Sequence, residues 1–169
     1  RWNQTISTEI FLDERKLEAQ LRKIDPEIII NCAAVVSLAA VAENPDYSFR
    51  VNVLLPRQLA LFCAASGTRT KLLHISTDHY FESRDLLVKH PETHPVTILN
   101  EYASQKYIAE RLVLAAMPTA LVVRTSLLGV RNLDGKTLIE WILKTLKHQK
   151  TIVGYSDAIT SAIPTELLA

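Results

Sequence analysis

Glycine is scarce in this chain. Only four occur in 169 residues, Gly67, Gly129, Gly135 and Gly154, and none falls in a Gly-x-x-Gly-x-x-Gly run, so these residues hold no glycine loop to wrap a phosphate. Cysteine is scarcer still. Cys32 and Cys63 lie in apolar surroundings without a C-x-x-C, which argues against a disulfide framework and reads as reduced core thiols of a cytoplasmic protein. His74, His79, His90, His94 and His148 show no ligand spacing, so no metal is expected, and His90 and His94 read as loop residues. No stretch approaches the roughly 20 apolar residues of a membrane span, and no signal peptide opens the chain. Like charges do not cluster: the net charge is +1 with 22% charged residues interspersed, which points away from nucleic acid, membrane surfaces and disorder.

What is present is a core. With 48% hydrophobic residues the chain can bury one domain. Both ends read as cut, since it opens on Arg1 and stops at Leu167-Leu168-Ala169 in a helical start. Residues 9–12 suggest a short strand. Asp13 then caps a helix to Lys23 with a stripe of Leu17, Leu21 and Ile24, and Asp25-Pro26 stops it. Residues 27–33 are apolar on both faces, as a central parallel strand would be. A helix from Asp46 to Ser66 should end at Gly67, followed by a strand from Lys71 to Ser76 and a long loop from Thr77 to Leu99. Asn100 caps a helix to Ala116. A strand at 119–125, a helix at 136–148 and a short strand at 151–153 complete the alternation. Strands alternating with helices predict an α/β fold with a parallel sheet. Inside the second helix, Pro56 has no N–H for the Asn52 carbonyl. Either that freed carbonyl holds a water, or Pro56 starts a shorter helix.

One constellation reads as an active site. Ser76-Thr77-Asp78 closes a strand, and Tyr102-Ala-Ser-Gln-Lys106 opens a helix. Carbonyl reduction needs a proton donor to oxygen while hydride reaches carbon. A phenol can donate, but its ordinary pKa of about 10 is high for exchange near neutrality, and an ammonium nearby lowers it. Tyr102 and Lys106 stand one turn apart on one helix face, and Thr77 can hold the same carbonyl oxygen. Tyrosine followed by a basic residue at this spacing also arises by chance, as in Tyr80/Arg84 and Tyr107/Arg111. The strand-end triplet raises the site reading, because ligands of α/β sheets bind at the strands' C-terminal ends.

Taken in order, Ile30-Asn31-Cys32-Ala33-Ala34, Val51-Asn52-Val53, His74-Ile75-Ser76-Thr77-Asp78 with Phe81, Tyr102-x-x-x-Lys106 with Glu110, and Val123-Arg124-Thr125-Ser126 resemble the extended short-chain dehydrogenase/reductases, and within them the dTDP-4-dehydrorhamnose reductase group. Ile152-Val153 and Ser161-Ala162-Ile163-Pro164-Thr165 look like that group's late strand and Ser-Pro-Thr turn. The resemblance implies a Rossmann-like parallel sheet with flanking helices, lacking the first glycine-rich βαβ unit. Residues 1–126 would be a partial dinucleotide-binding domain, and 127–169 the last Rossmann elements and the start of a substrate-binding lobe.

It further implies Tyr102 as general acid, Lys106 lowering its pKa and holding the nicotinamide ribose, and Thr77 on the substrate carbonyl. Asp78 would shape the substrate side. Ala33 and Ala34 would line the cofactor groove, Asn52 anchor a proton-relay water, and Ser126 sit near the nicotinamide. The cofactor would be NADP or NAD, and the substrate a nucleotide-linked 4-keto sugar. The group's absent strands lie beside 27–33, so this strand would lose its central neighbour and could dimerise through that edge, admitting a homodimer. The usual Tyr-Val-Phe-Asp-Gly reads His79-Tyr80-Phe81-Glu82-Ser83 here, and the usual Tyr-Gly reads Tyr102-Ala103. The rival readings are a non-catalytic nucleotide-binding regulatory subunit of the same fold, such as the one attached to methionine adenosyltransferase, and a sugar-nucleotide epimerase or dehydratase.

Overall fold

A computed structural model describes residues 12–67, 69–80, 89–130, 137–148, 151–154, 160 and 162–168. The strand expected at 9–12 falls almost wholly outside them, as do Phe81, Glu82 and Ser83. The chain divides into two compact units, residues 1–80 with 96–124, and residues 81–95 with 125–169.

In the first unit, helix α1 (Glu14–Ile24) begins at the cap the sequence predicts. The Asp13 carboxylate accepts from the amides of Arg15 and Lys16, each at 3.1 Å, satisfying two donors that an opening helical turn leaves free. The helix ends at Asp25 in the left-handed region, φ 52°. Leu17 and Leu21 are buried, whereas Ile24, the third member of the expected stripe, is exposed. Strand β1 (Ile28–Asn31) follows.

The single helix expected over 46–66 is three pieces. After α2 (Leu38–Glu43), α3 (Pro45–Phe49) runs into a π turn (Arg50–Leu54), and α4 (Leu55–Ala65) continues from it. The Leu55 amide donates to the Arg50 carbonyl five residues back. This wider turn leads into Pro56 in the first turn of α4, where a missing N–H is tolerated. Pro56 therefore starts a second helix, as one of the two expectations has it, and brings no N–H to the Asn52 carbonyl. Gly67, at φ +72°, follows the C-cap as predicted.

Strand β2 (Lys71–Ile75), helix α5 (Glu101–Ala116) and strand β3 (Leu121–Val123) complete this unit. Asn100 caps α5, its Oδ1 accepting from the Ala103 amide at 2.8 Å. The sheet order is β1-β2-β3, all parallel, with Asn31 opposite His74 and Ile75 opposite Val123. Because the strands are parallel, β1 and β2 hand their following residues to the same edge of the sheet. Leu17, Leu21, Leu55, Leu59, Cys63, Leu72 and Val113 form the core where α1, α4 and α5 meet β2.

Three expectations need correction. Residues 28–31 are not buried on both faces: among the described residues β1 pairs only with β2, and Ile28 and Ile30 are 58% and 52% exposed. Its apolar run is that of a central strand, and its outer edge has no ladder here. Cys63 is a core thiol, and burial raises its pKa to about 11, but Cys32 is exposed beyond the end of β1. Finally, residues 151–153 form no strand. A strand needs a neighbour, and Val153 is exposed.

The late pairing of the second unit lies elsewhere, between β4 (Ser126–Leu128) and β5 (Ala162–Pro164), parallel, with Ser126 opposite Ala162. β5 occupies much of the stretch expected as a turn. Helix α6 (Leu138–His148) precedes it and the short α7 (Thr165–Leu168) follows. Among the described residues no helix is long and apolar enough to cross a membrane.

Candidate active site

Tyr102, Gln105, Lys106, Ala109, Glu110 and Val113 form the buried face of α5. The N-terminal turn of that face meets the residues just past β2. Thr77 is buried, and its hydroxyl lies close enough to the Tyr102 phenol to pull that phenol's pKa down. The His79 amide donates to Thr77 Oγ1 at 3.2 Å, and the His79 ring packs edge-on against Tyr102 with centroids 5.9 Å apart. Burial raises the phenol's pKa above its ordinary value. The Thr77 hydroxyl opposes that rise, and the Asp78 carboxylate adds to it. Burial, Thr77 and Asp78 are the causes that set the resting phenol's pKa here.

Lys106 is tied to β2. It is 1% exposed, its Nζ donates to the Ile75 carbonyl at 2.7 Å, and it stands 3.4 Å from His74 Nε2. Burial pulls its pKa down to about 8, against the pull of Glu110 and Cys32 toward the charged form. His74 falls to about 3, through burial first and the Lys106 charge second. Two basic groups share this pocket, and burial works against charge on both.

Asn52 lies in the π turn with its side chain fully buried. It clasps Val35, in the segment after β1, and donates to Gln105 Oε1 at 2.8 Å. Gln105 in turn donates to Ser48 Oγ at 3.1 Å. This chain of amides ties the loop that carries Ala33 and Ala34 to α5. Ala33 is exposed and Ala34 half-buried, and each carries only a methyl side chain. Ser126 opens β4 and is half-buried in the second unit. Thr77, Asp78, Tyr102, Lys106, Asn52, Ala33 and Ala34 all belong to the first.

Behind the site, buried Glu110 pairs with half-buried Arg124 through Nε and Nη2, the closest contact 2.7 Å. The Arg124 guanidinium lies 5.1 Å from the Tyr80 ring centroid. Tyr80 is fully buried and its phenol meets Ser76 Oγ at 3.0 Å. Burial and the Glu110 carboxylate hold that phenol well above its usual pKa. These contacts brace both ends of the Ser76–Tyr80 turn.

Three contributors had escaped the sequence reading: His74, Gln105 and Tyr80. Gln105 carried a usable signal, because it lies three residues from Tyr102 on the stripe that Lys106, Ala109 and Val113 continue. Among the described residues no cluster of His, Cys, Asp or Glu could hold a metal. In the second unit, a cavity of about 330 Å³ is lined by Leu127, Leu128, Gly129, Leu138 and Thr165 among others.

Comparisons with known proteins give the chain's family. The family described as RmlD substrate binding domain matches residues 5–169. A dTDP-4-dehydrorhamnose reductase of Mycolicibacterium smegmatis is 37% identical over 138 residues, covering 80% of this chain and 40% of the relative. A probable dTDP-4,6-dihydroxy-2-methyloxan-3-one 4-ketoreductase of Streptomyces antibioticus is 33% identical over 132 residues, 76% of this chain and 42% of its own. The chain thus spans well under half the length of these relatives. Among solved structures, dTDP-4-dehydrorhamnose reductase from Bacillus anthracis, in complex with NADP, superposes with a TM-score of 0.70 at 24% identity, covering 87% of this chain and 51% of that one. UDP-glucose 4-epimerase from Thermotoga maritima shares the fold, with a TM-score of 0.80 at 18% identity over 99% and 57% of the two chains. With the family matched along nearly its whole length, this chain belongs to the RmlD substrate-binding-domain family, within the extended short-chain dehydrogenase/reductases.

Proposed function

We propose that this chain is the core of an NAD(P)H-dependent reductase acting on a 4-keto sugar carried on a nucleoside diphosphate. The observation that carries the reading is the buried Thr77 hydroxyl set beside the buried Tyr102 phenol at the C-terminal edge of a parallel sheet, one helical turn from a buried lysine. Similarity to dTDP-4-dehydrorhamnose reductases supports the substrate class. A likeness to an NADP complex and to a dTDP-glucose 4,6-dehydratase with NAD supports the cofactor class.

The residues present fit one end of a dinucleotide. Exposed Ala33 and half-buried Ala34 leave the backbone beyond β1 approachable, and Lys106 offers an N–H donor beside it. No glycine run is available for the pyrophosphate. A bound nicotinamide cofactor supplies the hydride. Thr77 holds the substrate carbonyl oxygen, and Tyr102 delivers the proton that the oxygen gains as the carbon is reduced. The phenol's raised pKa keeps that proton in place until an alkoxide develops to take it. Lys106 holds the nicotinamide ribose and stabilises the phenolate once the proton has left. Asp78 shapes the sugar side, Asn52 holds a relay water through its backbone, and Ser126 serves the nicotinamide end.

On this reading residues 1–126 are the partial dinucleotide-binding domain, and 127–169 begin the substrate lobe. The protein works in the cytoplasm, consistent with unpaired Cys32 and Cys63, and a homodimer is its proposed assembly. The test is Tyr102→Phe in the whole protein, assayed for nicotinamide oxidation with a nucleotide-linked 4-keto sugar. Removing a general acid costs about 10²–10⁴-fold in kcat, with cofactor binding retained. Near wild-type turnover would refute the assignment.

A further inference from the structure

One buried contact has no part in the chemistry above. His74 sits fully buried on β2, between Asn31 on β1 and Lys106 on α5. Its tautomer follows from its neighbours. The Asn31 amide is oriented by the Ala33 N–H, which donates to Asn31 Oδ1 at 3.1 Å. The Asn31 nitrogen is thereby turned to His74, with Nδ2 3.0 Å from Nδ1. An amide NH₂ only donates, so Nδ1 must accept, and a neutral imidazole then carries its proton on Nε2. That N–H points at Lys106 Nζ, 3.4 Å away. An ammonium and an N–H are both donors and cannot bond. A neutral amine has a lone pair and can accept.

We propose that His74 is a positioning residue acting through Lys106: locked by Asn31 as the Nε2–H tautomer, it presents a donor to Nζ and favours the neutral amine. The other groups facing Lys106 are the Ile75 carbonyl from β2, Glu110 on its own helix and Cys32 beyond β1. The carbonyl accepts an N–H from either protonation state, and Glu110 and Cys32 favour the charged one. His74 is thus the facing side chain that opposes the charge, and burial acts in the same direction. The consequence is a lysine able to exchange its proton near neutrality, one helical turn from the phenol that must be reprotonated after each turnover. That last step rests on the reductase reading, whereas the tautomer does not.

The experiment uses ¹⁵N NMR of the histidine rings and ¹³Cε NMR of the lysines in the whole protein, with His74→Phe and Lys106→Met serving to assign the signals. In the wild type, His74 should carry its proton on Nε2 throughout the neutral range. An Nδ1–H tautomer or an imidazolium at neutral pH would overturn the proposal, even if no variant folded. Asn31→Asp keeps the acceptor for Ala33 and turns the second position from donor to acceptor. The ring proton should then move to Nδ1, and the Lys106 midpoint should rise by about one pH unit or more. A midpoint that rises without the tautomer change shows that charge alone acts, and a tautomer change without the rise shows that His74 does not reach Lys106. Either result sinks the proposal. The alkaline limb of kcat should follow the Lys106 midpoint. Expected NMR behaviour in a protein that reduces no 4-keto sugar would refute the reductase reading and leave the His74 assignment intact.

Discussion

Asn52 grips the backbone of Val35 at both ends. Its Oδ1 accepts the Val35 N–H at 2.8 Å, and its Nδ2 donates to the Val35 carbonyl at 3.0 Å, leaving one hydrogen for Gln105. A side-chain amide places a donor and an acceptor side by side, so it can imitate a neighbouring strand's backbone. The loop beyond β1 is held this way rather than by a sheet ladder.

Asn52→Leu, of similar volume, should therefore strand the Val35 groups and Gln105 together. An unsatisfied buried polar group costs about 1–3 kcal/mol, so a loss of about 2–4 kcal/mol in chemical denaturation is expected. NADPH affinity should fall with it, since the same loop carries Ala33 and Ala34. Unchanged stability would mean that the loop is held by other contacts.

Substitutions at the proposed site should grade in a fixed order. Thr77→Val removes one hydrogen bond to the reacting oxygen, at most about 2.7–4 kcal/mol by analogy with oxyanion donors, with little change in cofactor affinity. Lys106→Met should lower both kcat and NADPH affinity, because the lysine serves both. Steady-state kinetics beside calorimetric titration separate these. Equal effects of both variants on kcat and affinity would mark a purely structural helix face.

The buried basic pair sets the pH dependence of stability. His74 is depressed to about 3 in the fold, so the unfolded chain takes up its proton first, and stability is lost as pH falls below the ordinary value of 6.5. Lys106 is depressed from 10.5 to about 8, so the unfolded chain again binds more protons between these values, and stability rises with pH there. Cys63 works the other way, raised from 9.0 to about 11, and removes stability as pH climbs through that interval. The Lys106 gain should thus be visible between about pH 8 and 9, on the order of 1 kcal/mol, before Cys63 offsets it. Urea melts across this range check it, and Lys106→Met should flatten the rise.

Among the described residues β1 pairs only with β2, and that unpaired edge predicts how residues 1–169 behave alone. Unpaired strand edges flanked by exposed apolar side chains template association, and Ile28 and Ile30 supply them. Light scattering should show self-association, reduced by Ile30→Lys. Calorimetry should show weak NADPH binding, because no glycine loop is present to seat the pyrophosphate. A monodisperse monomer binding NADPH at micromolar concentration would contradict both expectations.

Much of this was written locally in the chain. Asp13 and Asn100 announce their helices because the amides needing a partner lie two or three residues away. Tyr102 and Lys106 share a face because 3.6 residues make a turn. The alternation of apolar runs and amphipathic stretches predicts a parallel α/β sheet, and the order of short motifs along the chain identifies the family. Tertiary structure decided what those side chains touch. Lys106 turns to Ile75 and His74, and Tyr102 to Thr77, because the register of β2 against α5 sets which groups lie within reach. His74 finds Asn31 43 positions away, and Asn52 finds Gln105 53 positions away. Such pairings exist only once strands and helices have docked, and no local signal encodes them. The exposed edge at Ile28 and Ile30 belongs to the same class: an apolar run states that a strand seeks cover on both sides, and only the assembled sheet shows which side received it.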